Sequence, residues 1–226
     1  MNSAAKLEEA KQESAMQLNR RAAYSKDRTI LADIYQQDTN LVYWQRQLSK
    51  ELVDEVATLL AEKPSFQASV TASPDSVLFA MNDYFCALDC TKLNEDIAEL
   101  VSMFCCLFDL QRVGIRLTAL NKAMCPKFHV DRVPCRLITT YLGAATEWLP
   151  HQSANRNKLG RGSNGLPDHE SGIYSQAADI HQLASGDVAL LKGESWQGNE
   201  GAGIVHRSPA LAAGEQRLLL TMDFAE

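Results

Sequence analysis

Residues 125–131 read Cys-Pro-Lys-Phe-His-Val-Asp, and a second run able to do chemistry, Gly203-Ile-Val-His206, follows about 75 positions later. His129 and Asp131 are two residues apart, so on a β-strand both side chains project from one face. With His206 they would supply two imidazoles and one carboxylate. That is the ligand set of a non-haem Fe(II) centre, which keeps coordination positions open. Arg217 stands eleven positions beyond His206, at the head of the apolar run Arg-Leu-Leu-Leu-Thr-Met-Asp-Phe. A guanidinium buried in such a strand needs an anion. A carboxylate-bearing cosubstrate would satisfy it through two parallel hydrogen bonds. Cys125 and Cys135 flank the His-x-Asp pair, and thiolate with imidazole suits Zn²⁺. They are therefore alternative metal ligands, although their spacing is not that of a zinc finger.

These residues need strands to carry them. Val113, Ile115 and Leu117 alternate with polar residues, as in a half-buried strand. Lys127–Asp131, Cys135–Leu142, Thr146–Leu149, Ile180–Leu183, Asp187–Lys192, Gly203–Arg207 and Gln216–Phe224 also read as strands, with Gly186-Asp187 and Gly214-Glu215 marking turns. Alternation along Gly203–Arg207 puts His206 and Arg207 on opposite faces. Many short strands between glycine-rich turns predict a sandwich or jelly roll. Residues 150–172 are polar, with four glycines and two prolines. A connection of that length is usually functional or mobile, and here it is a candidate lid. Trp148 and Trp196 lie beside turns, positions that suit a pocket mouth or a core equally. His151, His169 and His181 read as solvated or hydrogen-bonded histidines.

The first half is mainly helical. Ser49 is a candidate N-cap for a helix through about Glu62, with Val53, Val56, Leu59 and Leu60 on one face. Ser73-Pro74-Asp75 opens a helix over about 75–87. A longer one at about 93–110 carries Leu93, Ile97, Leu100, Val101, Phe104, Cys105 and Phe108 at helical spacing. Thr29–Tyr35, Asn40–Gln45 and Phe66–Ala72 read as strands. Residues 1–25, rich in Ala, Glu, Gln and Lys, are expected to be a frayed helix or disordered. The chain is thus expected to be α+β, with a polar terminus at 1–25, a helical part at 26–111 and a β-rich, metal-binding part at 112–226. The span 26–226 reads as one integrated domain.

At 226 residues the chain can bury one substantial core. Its net charge of −6 argues against a nucleic-acid binder. No apolar run approaches transmembrane length, and the N-terminus lacks the hydrophobic stretch of a secretory signal. The expected compartment is the cytoplasm, where the six cysteines stay reduced. Cys105 and Cys106 are read as small buried hydrophobes. Oligomeric state is not legible.

Residues 112–226 resemble the superfamily of 2-oxoglutarate- and Fe(II)-dependent oxygenases. The likeness rests on Phe128-His129-Val130-Asp131, Gly186-Asp187-Val188-Ala189-Leu190-Leu191, Val205-His206-Arg207-Ser208-Pro209 and Gly214-Glu215-Gln216-Arg217. The resemblance implies a double-stranded β-helix (jelly-roll) core in the C-terminal half, with the N-terminal helices packed on it. It implies iron held by His129, Asp131 and His206, and 2-oxoglutarate held by Arg217. The substrate would be a small molecule or a protein side chain, hydroxylated as 2-oxoglutarate becomes succinate. Two features depart from the pattern. Many members carry Ser or Thr two positions after the arginine, where this chain has Leu219, and cysteines flank the His-x-Asp.

The blocks Cys-Pro-Lys-Phe-His-Val-Asp, Leu-Leu-Lys-Gly-Glu-Ser-Trp and Ile-Val-His-Arg-Ser-Pro also resemble a narrower bacterial family of unknown function, associated with genomic neighbourhoods of zinc homeostasis. Two other readings therefore stay open. One is a zinc-binding protein of metal homeostasis without oxygenase activity. The other is a non-catalytic binding module on the same scaffold.

Overall fold

Strands and helices alternate in the first half of the chain, and strands dominate the second. The computed structural model describes residues 19–85 and 88–225. In chain order the elements are β1 (Arg21–Ser25), a 3-10 helix (Arg28–Tyr35), β2 (Thr39–Trp44), α1 (Lys50–Glu62), β3 (Gln67–Ala72), α2 (Val77–Phe85), α3 (Thr91–Phe108), β4 (Val113–Leu120), β5 (Cys135–Leu142), β6 (Glu147–Leu149), a short α4 (Asp168–Ser171), β7 (His181–Gln182), β8 (Val188–Lys192), β9 (Val205–Arg207) and β10 (Arg217–Phe224). Helix α1 starts where the sequence predicts, because the Ser49 hydroxyl accepts from the Leu52 amide at 3.2 Å.

The strands form two sheets. The larger has the order β1-β2-β8-β5-β10-β4-β3, and the smaller β7-β6-β9. All pairings are antiparallel except β1 with β2. The two-residue period of a strand sorts the side chains of the larger sheet. On β10, Leu218, Leu220 and Met222 join the core built with Val56, Leu59, Ile97 and Phe104 of the helices. Leu219 turns the other way. There, with Leu41, Ile138, Ala189 and Leu191, it meets Trp148 and Ile204. The smaller sheet therefore packs on the face of the larger one opposite the helices. A third apolar cluster, Phe128, Leu149, Ile173 and Val205, lies on the smaller sheet's other side.

Several expectations are corrected. Thr29–Tyr35 is a 3-10 helix rather than a strand. Asp27 starts it by accepting from the Thr29 amide at 2.9 Å, and the three-residue spacing of Leu31 and Ile34 buries both on one side. The terminal segment read as helical or disordered through residue 25 ends as a strand, Arg21–Ser25, paired with β2. The rest of that reading, residues 1–18, lies outside the described residues, as does Cys86. Segment 150–172 is a chain of short 3-10 turns followed by α4. Of the adjacent cysteines, Cys105 is buried but Cys106 is exposed, because neighbours on a helix point about 100° apart. Among the described residues, no helix is long and apolar enough to cross a membrane.

Candidate metal centre

His129 and His206 are opposite partners in a single antiparallel bridge. Each amide donates to the other's carbonyl at 3.0 Å. Directly opposed residues on antiparallel strands point to one face, so the two imidazoles meet with ring centroids 4.5 Å apart. The ring orientation is fixed locally. His129 Nδ1 lies 2.9 Å from the Lys127 carbonyl, and His206 Nδ1 lies 3.1 Å from the Ile204 carbonyl. A carbonyl oxygen only accepts, so each Nδ1 is the donor, which in the neutral tautomer leaves the lone pair on Nε2. Both Nε2 atoms face Asp131, at 3.6 Å from Oδ1 for His129 and 3.5 Å from Oδ2 for His206. One ligand atom from each of the three residues lies within 4.8 Å of the others. Among the described residues, no other group of three His, Cys, Asp or Glu side chains comes together this way.

The segment carrying Asp131 is fastened from behind by the Gly193 turn, where the Glu194 amide donates to the Asp131 carbonyl at 2.9 Å. A Cβ on Gly193 would fall 2.1 Å from the Val133 carbonyl oxygen, so only glycine admits this approach. Arg136, on β5, donates through Nη1 to Asp131 Oδ2 at 2.7 Å. Its remaining nitrogens, Nε and Nη2, grip the Asp223 carboxylate of β10 at 2.7 and 2.9 Å. Burial opposes the charged form of Asp131. His206, Arg136 and His129 outweigh it and bring the carboxyl down to about 2. Burial, helped by the neighbouring His206, lowers His129 below the usual imidazole range. At neutral pH the site thus presents an anionic carboxylate beside a neutral His129 imidazole, the protonation state a cation requires.

Arg217 is 1% exposed, the largest of the fully buried side chains. Its guanidinium meets hydroxyls, not a carboxylate. Nη2 donates to Thr146 Oγ1 at 2.7 Å and to Thr140 Oγ1 at 3.1 Å. Among the described residues it has no anionic partner, and burial lowers its pKa to about 10. The turn after β5 passes close over it. A Cβ on Gly143 would lie 2.3 Å from the Gln216 carbonyl oxygen.

The structure brings together His129, Asp131 and His206, and it buries Arg217 on the same inner face. It leaves both flanking cysteines outside this cluster. Cys135 is wholly buried in the core shared with the helices, because alternation along β5 turns it away from the face that Arg136 uses. Cys125 is exposed, and neither thiol belongs to the ligand cluster. Cys125→Ser and Cys135→Ala are therefore expected to leave metal affinity unchanged in a metal-competition titration. A site using thiolates would lose most of it.

Trp148, which pairs with His206 across β6 and β9, is buried on the inner face. Trp196 is not at the mouth; it packs edge-on against Tyr35 and Phe108 on the helical side. His181 lies against the Trp148 ring, and exposed His169 beside Glu170. His151 meets Arg156 at 3.1 Å. Arg207 faces away from the metal cluster, as strand alternation requires, and pairs with Glu147 and Asp168. Sequence reasoning missed Arg136, Thr140, Thr146 and Asp168. Period-two alternation from Arg136 to Thr140 would have placed both on one face of β5. Nothing local marks Asp168.

A broad likeness in solved structures accompanies this geometry. The dioxygenase for auxin oxidation 1 from Arabidopsis thaliana, solved as a complex with 2-oxoglutarate, superposes with a TM-score of 0.50 at 8% identity, covering 91% of this chain and 92% of that one. A prolyl-4-hydroxylase from Pseudomonas putida gives 0.46 at 11% identity, covering 88% and 98%. Iron-bound HygX from Streptomyces hygroscopicus gives 0.46 at 13%, covering 87% and 85%. At 8% identity the first of these shows a likeness of fold alone, so the class defined here is a dioxygenase-like fold carrying a candidate metal centre. Within that class the chain belongs to the family described as "Protein of unknown function (DUF1826)", whose model matches residues 25–223. No curated protein matches the sequence.

Proposed function

We propose that this chain is an Fe(II)- and 2-oxoglutarate-dependent oxygenase, a hydroxylase acting on a small molecule or a protein side chain. The observation that carries the reading is Arg217. A buried guanidinium held by two threonine hydroxyls, with no anion beside it among the described residues, is costly unless a ligand supplies the charge. Thr146, which grips it, lies two positions before Trp148, the strand partner of His206. Two residues of extended chain span about 7 Å, a distance that suits a short dicarboxylate reaching from the metal ligands to the arginine.

The strand arrangement supports the same reading. The order β4-β10-β5-β8 faces the smaller sheet, which is extended by the His129 bridge to the order His129 segment-β9-β6-β7. We read these two sets of four as a double-stranded β-helix. The missing Ser or Thr two positions after Arg217 is then accounted for. Thr140 and Thr146 supply the hydroxyls from β5 and the approach to β6, leaving Leu219 free to pack in the inner core.

In this reading His129, Asp131 and His206 hold the iron through Nε2, one carboxylate oxygen and Nε2. Arg136 occupies the other carboxylate oxygen and keeps Asp131 ionised. Arg217 orients the far carboxylate of 2-oxoglutarate by paired hydrogen bonds. Bound iron with 2-oxoglutarate supplies the oxidation: O₂ is consumed, 2-oxoglutarate loses CO₂ to become succinate, and a substrate C–H bond becomes C–OH. The walls of the inner face, including Trp148, Ile138 and Leu219, keep water from the reacting groups.

Anaerobic protein given Fe(II) and 2-oxoglutarate is expected to develop a weak visible absorption band that needs both additions. Admitting O₂ should then release succinate. A zinc centre on the same three residues would bind metal yet give neither signal, and folded, iron-loaded protein that stays silent in both would overturn the oxygenase reading.

A further inference from the structure

The ladder that brings the two histidines together is one residue pair long. Beyond it, the direct hydrogen bonds between the segment before His129 and the end of β9 among the described residues are those of Ser208 with Cys125. Register between strands is set by the hydrophobic pattern and by turn geometry, and a slip of one residue turns every side chain to the opposite face. A single bridge gives little resistance to such a slip, and a slip here would carry one imidazole away from Asp131.

Outside this ladder sits Asp168, at the start of α4. It is 7% exposed. Its Oδ2 accepts from the Phe128 amide at 2.9 Å and from Arg207 Nη1 at 2.8 Å. Phe128 immediately precedes His129, and Arg207 immediately follows His206. One carboxylate oxygen therefore holds the neighbours of both histidines, from the face opposite the metal cluster. Arg207 is itself held by Glu147 on β6 at 2.6 Å, and its guanidinium lies 4.3 Å from the centroid of the Phe128 ring. Lys127 fastens the same region by donating to the Gly165 and Leu166 carbonyls at 3.1 and 2.9 Å. The Gly165–Asp168 end of the long connection is thus tied to the ligand-bearing segment.

We propose that Asp168, through Phe128 and Arg207, is a positioning residue that locks the register of His129 against His206 and so sets the metal geometry. This rests on the metal-centre reading above. The bonds are charge-assisted and largely shielded from water, which makes them strong and directional. The strap does the work that further ladder pairs would do elsewhere in a sheet.

The test compares wild type, Asp168→Ala and Asp168→Asn by two measurements. The first is amide hydrogen exchange in metal-free protein. In Asp168→Ala, exchange at His129 and His206 is expected to rise by about tenfold or more while β4 and β10 amides stay protected, the signature of local opening. Asp168→Asn keeps an acceptor for Phe128 but no charge for Arg207, and should fall between; it also serves if the alanine variant does not fold. Unchanged exchange at the two histidines, or equal acceleration across β4 and β10, overturns the strap. The second measurement is Co(II) affinity, expected to weaken by about 10–100-fold in Asp168→Ala, as for other groups that orient metal ligands. Wild-type protein that takes up no Co(II) or Fe(II) overturns the metal reading. Wild-type uptake with equal affinity in Asp168→Ala overturns the positioning role alone.

Discussion

Replacing His206 by alanine is expected to weaken Fe(II) binding by at least about 100-fold, since loss of a ligand exceeds the 10–100-fold effect of groups that only orient ligands. Succinate formation should vanish with it. The fold should survive. The imidazole is buried, and its removal leaves the Ile204 carbonyl without its Nδ1 donor, a loss on the order of 1 kcal/mol. Asp131 keeps its contacts with Arg136 and His129. The measurement is a metal-competition titration beside a denaturant melt. Wild-type affinity in folded His206→Ala would exclude the three-residue centre and leave the site without its most buried imidazole.

Arg217→Met should separate function from stability in the opposite sense. The wild-type guanidinium is fully buried with two hydroxyls and, among the described residues, no anion. Methionine fills similar volume without a charge. Replacing even a buried ion pair with packed apolar residues is often neutral or stabilising, by up to about 4 kcal/mol, and a guanidinium paired with hydroxyls rather than a carboxylate has less to lose, so the variant without ligand should melt above wild type. Removing one partner of a buried charge pair costs about 2–5 kcal/mol of binding, so 2-oxoglutarate affinity should fall roughly 30-fold or more. Metal affinity should stay close to wild type, because Arg217 makes no contact with His129, Asp131 or His206 in the hydrogen-bond and ion-pair network. Thermal melts with and without 2-oxoglutarate read both effects. If wild type gains no stability from the dicarboxylate, Arg217 has some other role.

Local chemistry made much of this legible. The alternation of Val113, Ile115 and Leu117, the Ser49 cap and the helical spacing of Leu93 to Phe108 each fix a short stretch through nearby atoms alone. The His-x-Asp spacing puts two groups on one face of any extended segment. Thr29–Tyr35 shows where such reasoning fails. Its β-branched residues favour a strand, but Asp27 caps a 3-10 turn and the burial of Leu31 and Ile34 outweighs propensity.

What the sequence determined by itself was the kind of chemistry at stake: two imidazoles, a carboxylate and a buried arginine, each on a segment whose period or composition sets its facing. Tertiary structure alone decided that His129 would pair with His206 across 77 positions, and that Cys135 would turn into the helical core. It also decided that the Arg217 hydroxyl partners would come from Thr140 and Thr146, and that Asp168 would reach the outer side of both histidines. Periodicity is a property of neighbours along the chain. Which strand lies opposite which depends on loop paths and on the sum of many weak contacts across the fold, and no single residue carries that information.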